Sequence, residues 1–153
     1  MKSQKGFTLI EMVIVIAVIG ILMGLVFSGT QSVQSNARDT KRMADLKKVQ
    51  TYLELYYNKC NHYPGAGGAS CSADVTSPVS WEQLRTALIP AVADADDIPE
   101  EDPQGNPYQY GVETPRGFDY VLGATMERGI PAGGIEVATF GIACGQNKLY
   151  CLK

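Results

Sequence analysis

The chain has 153 residues, a formal net charge of −3 and four cysteines. This acidic balance argues against a protein that binds nucleic acid through a broad basic surface. Once the apolar N-terminal stretch is set aside, the remaining length suffices for one small domain but not for two.

A basic leader precedes a long apolar segment at the N-terminus. Residues 12–27 carry no charge, and the uncharged run up to Gln34 is long enough to cross a hydrocarbon core, which takes about 20 helical residues. A secretory signal would be shorter and would end in an A-x-A-like cleavage site, which does not follow here. A plain single-pass anchor is the other alternative, but it leaves Glu11 unexplained. A carboxylate inside a membrane is costly, so Glu11 needs a partner.

The start of this segment carries a specific motif. Residues 6–11 read GFTLIE and resemble the processing site of type IV prepilins and of the related type II secretion pseudopilins. The resemblance implies cleavage after Gly6 by a prepilin peptidase and N-methylation of Phe7. It also implies that Glu11 pairs with the terminal amine of a neighbouring subunit, since a buried carboxylate is tolerated beside an ammonium. The amine of its own Phe7, four residues earlier, is an intrachain competitor.

The segment departs from the family pattern at one position. Many members carry a helix-kinking proline where this chain has Ser28. Glycines at positions 20, 24 and 29 each weaken a helix by about 1 kcal/mol relative to alanine. If assembly unwinds the helix, the segment that unwinds is therefore expected at Gly24–Thr30. The alternative is that these glycines allow close helix packing.

An amphipathic pattern follows the apolar stretch. Apolar residues recur at steps of three and four: Met43, Leu46, Val49, Leu53 and Tyr56 or Tyr57. This spacing gives a helix with one buried face. No helix breaker stands between Thr30 and Asn58, so the sequence predicts one helix from Phe7 to about Asn58. The expected divisions are a leader at 1–6, a transmembrane or filament-core half at 7–30, an amphipathic half at 31–58 and a globular head at 59–153.

The amphipathic half also carries a basic patch. Its members are Arg38, Lys41, Arg42, Lys47 and Lys48. Asp39 and Asp45 lie among them and the chain is acidic overall, so direct binding of nucleic acid is not expected. Pairing with the acidic head of another subunit is the favoured interpretation.

A short helix is predicted early in the head. Ser80, with Gln83 three residues later, forms a capping-box pattern. The helix is expected to end before Pro90. Its inward-facing residues are expected to be Trp81, Leu84 and Leu88.

The rest of the head predicts an antiparallel sheet. Strands are expected at 107–112, 118–126 and 135–143, with an edge strand at 148–152. In the second strand Phe118, Tyr120, Leu122, Ala124 and Met126 alternate with less apolar residues, which indicates a sheet with one buried face. The predicted class is α+β, with a long N-terminal helix packed on a small sheet. The resemblance to type IV pilins implies the same fold.

A second motif extends the resemblance into the head. Residues 102–110 read DPQGNPYQY and resemble the D-P-x-G-N-P-Y-x-Y stretch of major pseudopilins, and residues 58–64 read NKCNHYP. A proline- and glycine-containing turn that leads into an aromatic strand explains the first stretch physically.

Calcium is the metal that the resemblance raises, because major pseudopilins often hold this ion in a late loop. Calcium takes six to eight oxygen ligands. If Glu127 is counted with the end of the second predicted strand, Glu136 is the one acid after it, so the usual late ligands are absent. The acidic run at 94–102 offers weak candidates in Asp96, Asp97 and Asp102, and no other cofactor is expected.

The four cysteines indicate disulfides in an oxidising compartment. They allow three pairings. Cys60–Cys71 would pin a loop to the helix end, and Cys144–Cys151 would close a hairpin. Each could contribute about 3 kcal/mol before strain. Zinc is the competing use, but no C-x-x-C spacing supports it.

No catalytic pattern is present, since the single histidine, His62, lies in a turn without a nucleophile or metal-ligand spacing beside it. The chain is predicted to be a homopolymeric filament subunit. It would wait as a single-pass inner-membrane precursor and be assembled by an inner-membrane platform and its ATPase. The favoured fate is an extracellular type IV pilus for adhesion, motility or DNA uptake. The alternative is the major pseudopilin of a periplasmic type II secretion pseudopilus.

Overall fold

The computed structural model describes residues 6–27, 30–65, 71, 75–76 and 79–153. In chain order the elements are α1 (Leu9–Phe27), α2 (Thr30–Cys60), α3 (Trp81–Val92), a 3-10 turn (Ala95–Asp97), β1 (Gln109–Val112), β2 (Tyr120–Thr125) and β3 (Leu149–Leu152). The chain divides into two compact units, residues 1–35 and 36–153. The predicted α+β class is confirmed.

The first unit contains α1, whose apolar side chains are exposed. Within the part of the chain that is described, no helix combines the length and the apolarity needed to cross a membrane. Gly24 lies inside α1, whereas Ser28 and Gly29 lie outside the described residues. Of the segment that was expected to unwind, Gly24–Thr30, residues 24–27 are helical in α1 and Thr30 begins α2, so two of its seven residues lie outside the description.

In the second unit, α2 buries the face that its periodicity predicts. Leu46, Val49, Leu53 and Tyr56 are at most 1% exposed. They pack in one core with residues of α3 and of the sheet, among them Leu84, Leu88, Tyr110 and Leu122. The amphipathic pattern was therefore a correct guide to the face on which the head is built.

The third helix begins as predicted but ends later. Ser80 is its N-cap: the Gln83 N–H donates to Ser80 Oγ at 3.2 Å, and the Ser80 N–H donates to Gln83 Oε1 at 2.9 Å. The expected end before Pro90 is wrong, since α3 continues to Val92. In the last turn the missing proline N–H removes only one hydrogen bond. The Ala93 N–H closes the helix onto the Leu88 carbonyl at 3.2 Å.

The sheet is antiparallel, in the order β1-β2-β3. The strand predicted at 135–143 is wrong, and the third strand is the predicted edge strand near residue 150. Phe140 and Gly141 adopt positive φ angles of 49° and 83°. Thr139 and Ile142 exchange two backbone hydrogen bonds of 2.9 Å across this turn. The segment therefore folds back on itself and does not extend the sheet.

Both faces of the sheet are covered, although the alternation predicted one. Tyr120, Leu122, Ala124 and Met126 belong to the core formed with the helices. On the other side, Val121, Cys144, Leu149 and Cys151 form a second cluster, which Ile135, Phe140 and Ile142 pack against. Phe118 was expected to face inward but is 57% exposed, since it precedes β2 in the turn. The mispredicted segment thus serves as a cover for the sheet.

Candidate functional site

The N-terminal motif forms a helix cap around Glu11. The Thr8 N–H and hydroxyl donate to Glu11 Oε2 at 2.8 and 2.6 Å, and the Glu11 N–H donates to Thr8 Oγ1 at 3.3 Å. This reciprocal pair is a capping box. Its T-x-x-E pattern is visible in the sequence, but the sequence analysis missed it. Glu11 therefore has a local partner within a single chain.

The expected cleavage point lies outside the helix. Residues 6–8 are not helical, and α1 begins at Leu9. Phe7 is 82% exposed. The peptide bond between Gly6 and Phe7 is therefore in non-helical backbone, where it is not tied into a helical hydrogen-bond ladder.

A buried arginine organises the start of the second unit. The Arg42 side chain is 1% exposed. Its Nε donates to Asp102 Oδ2 at 2.8 Å, and its Nη1 donates to Asp39 Oδ1 at 2.7 Å and to Glu127 Oε1 at 2.9 Å. Its Nη2 donates to Gln104 Oε1 at 2.8 Å. We call these residues, with Arg38, the Arg42 cluster.

Arg38 completes the cluster through a bidentate pair. Its Nε and Nη2 donate to the two carboxylate oxygens of Glu127, each at 2.6 Å. The fork geometry of a guanidinium matches a carboxylate and makes such pairs stronger than single contacts. Glu127 is thereby held by two arginines of α2.

These contacts correct the interpretation of the basic patch. Arg38 and Arg42 bind carboxylates of their own chain, and Lys48 pairs with Asp97 at 2.9 Å. Of the five basic residues, Lys41 and Lys47 remain exposed without a partner in the described part of the chain. The expected pairing between subunits is therefore restricted to these two lysines.

The cluster favours the ionised forms of Glu127 and Asp102. Hydrogen bonds from Arg38, aided by Arg42, lower the pKa of Glu127 to about 2. Burial by itself would raise the pKa of Asp102, but the backbone N–H of Asn106 and the Arg42 guanidinium lower it on balance. Burial likewise opposes the charge of Arg42, yet the carboxylates raise its pKa. Each charge is thus stabilised by the others.

The D-P-x-G-N-P motif forms a closed turn that belongs to this cluster. Asp102 Oδ1 accepts hydrogen bonds from the N–H groups of Gln104 at 2.8 Å and Asn106 at 2.9 Å. Gly105 has a φ of +80°, a conformation that favours glycine. Asp102 Oδ2 is the oxygen that binds Arg42. The motif therefore fastens its turn to α2, a role the sequence analysis did not predict.

The three weak calcium candidates are not brought together as a site. Asp97 is paired with Lys48, Asp102 is paired with Arg42, and Asp96 is exposed. Across residues 6–27, 30–65, 71, 75–76 and 79–153, no group of three or more His, Cys, Asp or Glu side chains is placed to hold a metal ion.

Two disulfides brace the head. Cys60 at the end of α2 is bonded to Cys71, and Cys144, directly after the covering segment 135–143, is bonded to Cys151 of β3. Cys144 and Cys151 are buried, whereas Cys71 is exposed and donates its N–H to the Tyr56 hydroxyl at 2.9 Å. The first bond fixes the loop after α2, and the second fixes the cover to the sheet.

His62 has a structural environment. It is half-buried, and its Nδ1 lies 3.0 Å from the Tyr63 carbonyl oxygen. Its ring packs edge-on against Tyr56, with 6.0 Å between centroids.

A small α+β head that follows an N-terminal helix, with a GFTLIE motif at the start of that helix, defines a pilin-like subunit. Residues 1–27 match the family model described as the prokaryotic N-terminal methylation motif. The chain is 33% identical over 130 residues to type II secretion system core protein G of Pseudomonas aeruginosa, covering 84% of this chain and 89% of that protein.

Two further relatives are similar to the chain, one a secretion system protein and the other a pilus component. The core protein G of Vibrio cholerae is 28% identical, covering 93% of this chain and 95% of that protein. The type IV wide pilus major component PilA4 of Thermus thermophilus is 35% identical, covering 50% of this chain and 59% of that protein. No solved structure matches the chain. The chain belongs to the family of type IV pilins and type II secretion pseudopilins, whose members are structural subunits and not enzymes.

Proposed function

We propose that this chain is the major pseudopilin of a type II secretion system. The observation that carries this function is the extent of similarity: two core G proteins match over 84% and 93% of the chain. The pilus component PilA4 matches over 50% and a Pseudomonas aeruginosa fimbrial protein over 35%. The N-terminal motif is shared by both classes, so the head must separate them. The head supports the pseudopilin, against the initial preference for a surface pilus.

The precursor is an inner-membrane protein that a prepilin peptidase cleaves after Gly6. The Phe7 amine released by this cleavage is then methylated. The match to the methylation motif and the non-helical backbone around Gly6 support this processing. Mass spectrometry of the mature N-terminus tests it, since a chain that begins at any residue other than Phe7 contradicts it.

Assembly uses α1 and the Glu11 carboxylate. The apolar side chains of α1 are exposed in the single chain and become buried against other copies in a filament. Among the described residues, the bonds from Thr8 both end on Glu11 Oε2. Oε1 is then the oxygen that accepts the Phe7 amine of a neighbouring copy. The assembly platform and its ATPase supply the work of extraction.

In this proposal, disulfides and buried ion pairs take the place of a bound calcium ion in stabilising the head. Two disulfides and the Arg42 cluster fix the segments around β2. A non-reducing peptide map that finds free thiols in the exported protein contradicts this part of the proposal.

The decisive experiment deletes the gene and follows two readouts. Loss of secretion of a type II substrate, which then collects in the periplasm, is the expected result, and the wild-type gene restores export. Electron microscopy of sheared surface material is the second readout. A long surface fibre built from this chain at its native expression level, with secretion intact in the deletion strain, overturns the proposal.

The same outcome supports the second candidate, a type IV pilus subunit. The similarity to PilA4 over 77 residues favours it. Adhesion, twitching motility or DNA uptake lost in the deletion strain would then identify its role.

A further inference from the structure

An aromatic groove of about 360 Å³ opens at the start of β1. This volume lies near the lower end of the range for binding sites, about 300 to 1,000 Å³, so the groove suits a single large side chain. Its walls are largely apolar and come from three segments: Val79 and Trp81 around the start of α3, Pro107 and Tyr108 before β1, and Phe140 and Ile142 of the covering segment 135–143.

The polar atoms of the aromatic walls are already bound within the chain. Trp81 Nε1 donates to the Pro99 carbonyl at 2.7 Å. The Tyr108 hydroxyl donates to Asp45 Oδ2 at 2.7 Å, and the Tyr110 hydroxyl likewise donates to a backbone carbonyl. The rings of Trp81 and Tyr108 lie against each other, with 5.1 Å between their centroids. The walls therefore offer ring carbon and not free donors, which favours an aromatic occupant.

An aromatic side chain is exposed on the turn between β1 and β2, which we call the Phe118 turn (residues 113–118). Phe118 is 57% exposed. Its N–H donates to Glu113 Oε2 at 3.1 Å, and the Gly117 carbonyl accepts the Tyr63 N–H at 2.8 Å. The turn is thus held both to its own base and to the segment after α2. Docking a side chain whose backbone is already fixed costs less conformational entropy.

The Phe118 turn and the aromatic groove lie at opposite ends of β1. The five steps from Tyr108 to Glu113 span about 17 Å in an extended strand, so Phe118 does not reach the groove of its own chain. A contact between the two surfaces therefore joins two copies of the chain. Because the surfaces differ, the contact is heterologous, and its repetition gives an open helical array where the rotation does not close. A filament requires this kind of contact.

A net negative charge lies beside Trp81 at the groove. Arg85 donates to Glu82 and to Glu100, each at 3.0 Å, so one guanidinium serves two carboxylates. The side chains of these two glutamates are 74% and 76% exposed. Glu82 follows Trp81 in the chain, and Glu100 follows the proline whose carbonyl accepts the Trp81 indole N–H. This side of the groove therefore attracts a cation.

The Phe118 turn carries the matching charge. The Arg116 side chain is 69% exposed, whereas that of its partner Glu113 is 21% exposed. The Arg116 guanidinium carbon lies 5.7 Å from the centroid of the Phe118 ring. The turn thus presents a ring and a positive charge together, and the groove presents aromatic walls and a negative charge together. Complementary charges of this kind fix the orientation in which two surfaces dock.

We propose that in the filament the aromatic groove receives Phe118 from a second copy of the chain. The inference rests on the proposed function, which requires copies to pack side by side. The ring packs on Trp81 and Tyr108, and burial of its apolar surface is the main driving force. Arg116 of the same turn orients the contact by lying towards Glu82 and Glu100. An aromatic anchor in an apolar pocket is the usual form of an interface hot spot.

Photo-cross-linking locates the contact directly. Benzoylphenylalanine replaces Phe118 in the full chain, and filaments assembled with the secretion machinery are irradiated. We expect a covalent dimer whose cross-linked peptides join residue 118 to residues 79–81, 107–110 or 140–142. Detergent-solubilised monomer should give no such dimer. Filaments in which residue 118 forms no cross-link, or links only outside the groove or to another protein, overturn the inference.

Truncation of the ring tests the energetics. Phe118→Ala should lower the assembled fraction at least about tenfold, because a buried aromatic side chain is lost from every contact. The thermal midpoint of the head should not change, since Phe118 is exposed in the single chain. Phe118→Leu should keep most of the assembly. Leu55→Ala is the matched control, because Leu55 is a 46% exposed apolar residue on α2.

The groove side is tested at Gln109, which lines it and is half-buried. Gln109→Glu keeps the shape of the side chain but adds a charge that a docked ring would leave poorly solvated, so we expect assembly to fall severalfold. Gln109→Leu should not lower it. If Gln109→Glu prevents assembly while Phe118→Ala assembles normally, the groove takes a different segment and the inference is wrong.

Two outcomes separate this inference from the proposed function. If the wild-type chain makes no filament in the presence of the secretion machinery, the proposed function fails and the inference fails with it. If the wild-type chain and Phe118→Ala assemble equally well, the proposed function stands and the contact between Phe118 and the groove is wrong.

Discussion

The two compact units treat apolar surface and charge in opposite ways. In residues 1–35, α1 exposes its large apolar side chains and has one charged residue, Glu11, at its start. In residues 36–153, the apolar side chains form a core, and a buried arginine is matched by carboxylates from three segments. Among the described residues, the head buries its core side chains and pairs Arg42 within one chain, whereas the large apolar side chains of α1 are exposed. The first unit is therefore where assembly should be most vulnerable, and the second is where folding should be.

The largest expected effect tests the first half of this comparison. Glu11→Gln removes the charge that we propose to pair with a neighbouring amine, so we expect at least about a tenfold loss of filament. The thermal midpoint of the head should not change. Filament yield in cells and circular dichroism of the solubilised chain measure the two effects. Thr8→Ser keeps the hydroxyl of the cap and is the matched control. A lowered thermal midpoint in Glu11→Gln would contradict the assignment of assembly to the first unit and of folding to the second.

The next effect tests the second half. Arg42→Met removes one partner of a buried ionic cluster, and we expect a loss of about 3–5 kcal/mol in the free energy of unfolding. Lys41→Met, one residue earlier on the exposed face, should change it by less than about 0.5 kcal/mol. Urea unfolding of the detergent-solubilised chain provides both values. Equal effects of the two substitutions would show that burial of Arg42 does not set the stability of the head.

Reduction of the disulfides is expected to have a smaller effect than the loss of Arg42. Replacing Cys60 and Cys71, or Cys144 and Cys151, with serine should each cost about 2–3 kcal/mol, because both bonds close short loops of 11 and 7 residues. A calcium chelator should leave the thermal midpoint unchanged. A chelator that destabilises the oxidised head would instead indicate a bound metal ion. It would contradict the proposal that the disulfides and the Arg42 cluster stabilise the head without calcium.

The smallest expected effect is a loss of stability of the head at acid pH. The folded head lowers the pKa of Glu127 from 4.5 to about 2. A depressed folded-state pKa stabilises the protein fully above the unfolded value, and this contribution disappears as the pH falls from about 4.5 towards 2. We expect the urea midpoint to fall across this window, and to fall less in Glu127→Gln. Glu136→Gln, an exposed glutamate, should follow the wild type. Parallel curves for all three proteins would contradict the assignment.

The sequence predicted local features more reliably than distant ones. The buried face of α2 and the cap at Ser80 depend on residues three or four positions apart, and both are confirmed. The capping box of Thr8 and Glu11 was equally local and could have been found from its T-x-x-E pattern. What could not be predicted was the burial of Arg42, since its partners Asp102 and Glu127 lie 60 and 85 residues away.

The sheet is a second case in which contacts between distant segments could not be predicted from the sequence. Residues 135–143 have a strand-like composition, yet positive φ angles at Phe140 and Gly141 turn the segment over β2. A covering segment and a strand both need apolar residues against a sheet, so composition alone does not distinguish them. At Gly111 a Cβ atom would lie 2.7 Å from the Phe140 carbonyl oxygen, a contact that becomes visible only when the two segments are placed together.

Asp102 has a consequence for how the head folds. One oxygen closes a local turn through the amides of Gln104 and Asn106, and the other binds Arg42. The turn spans five residues, so it can form before the chain has paid the entropy of closing a far larger loop. Once formed, it already presents an acceptor in the orientation that the guanidinium requires. Asparagine at this position would offer only one acceptor oxygen. In the present geometry that oxygen could either close the local turn or bind Arg42, because the two sets of donors lie at different carboxylate oxygens.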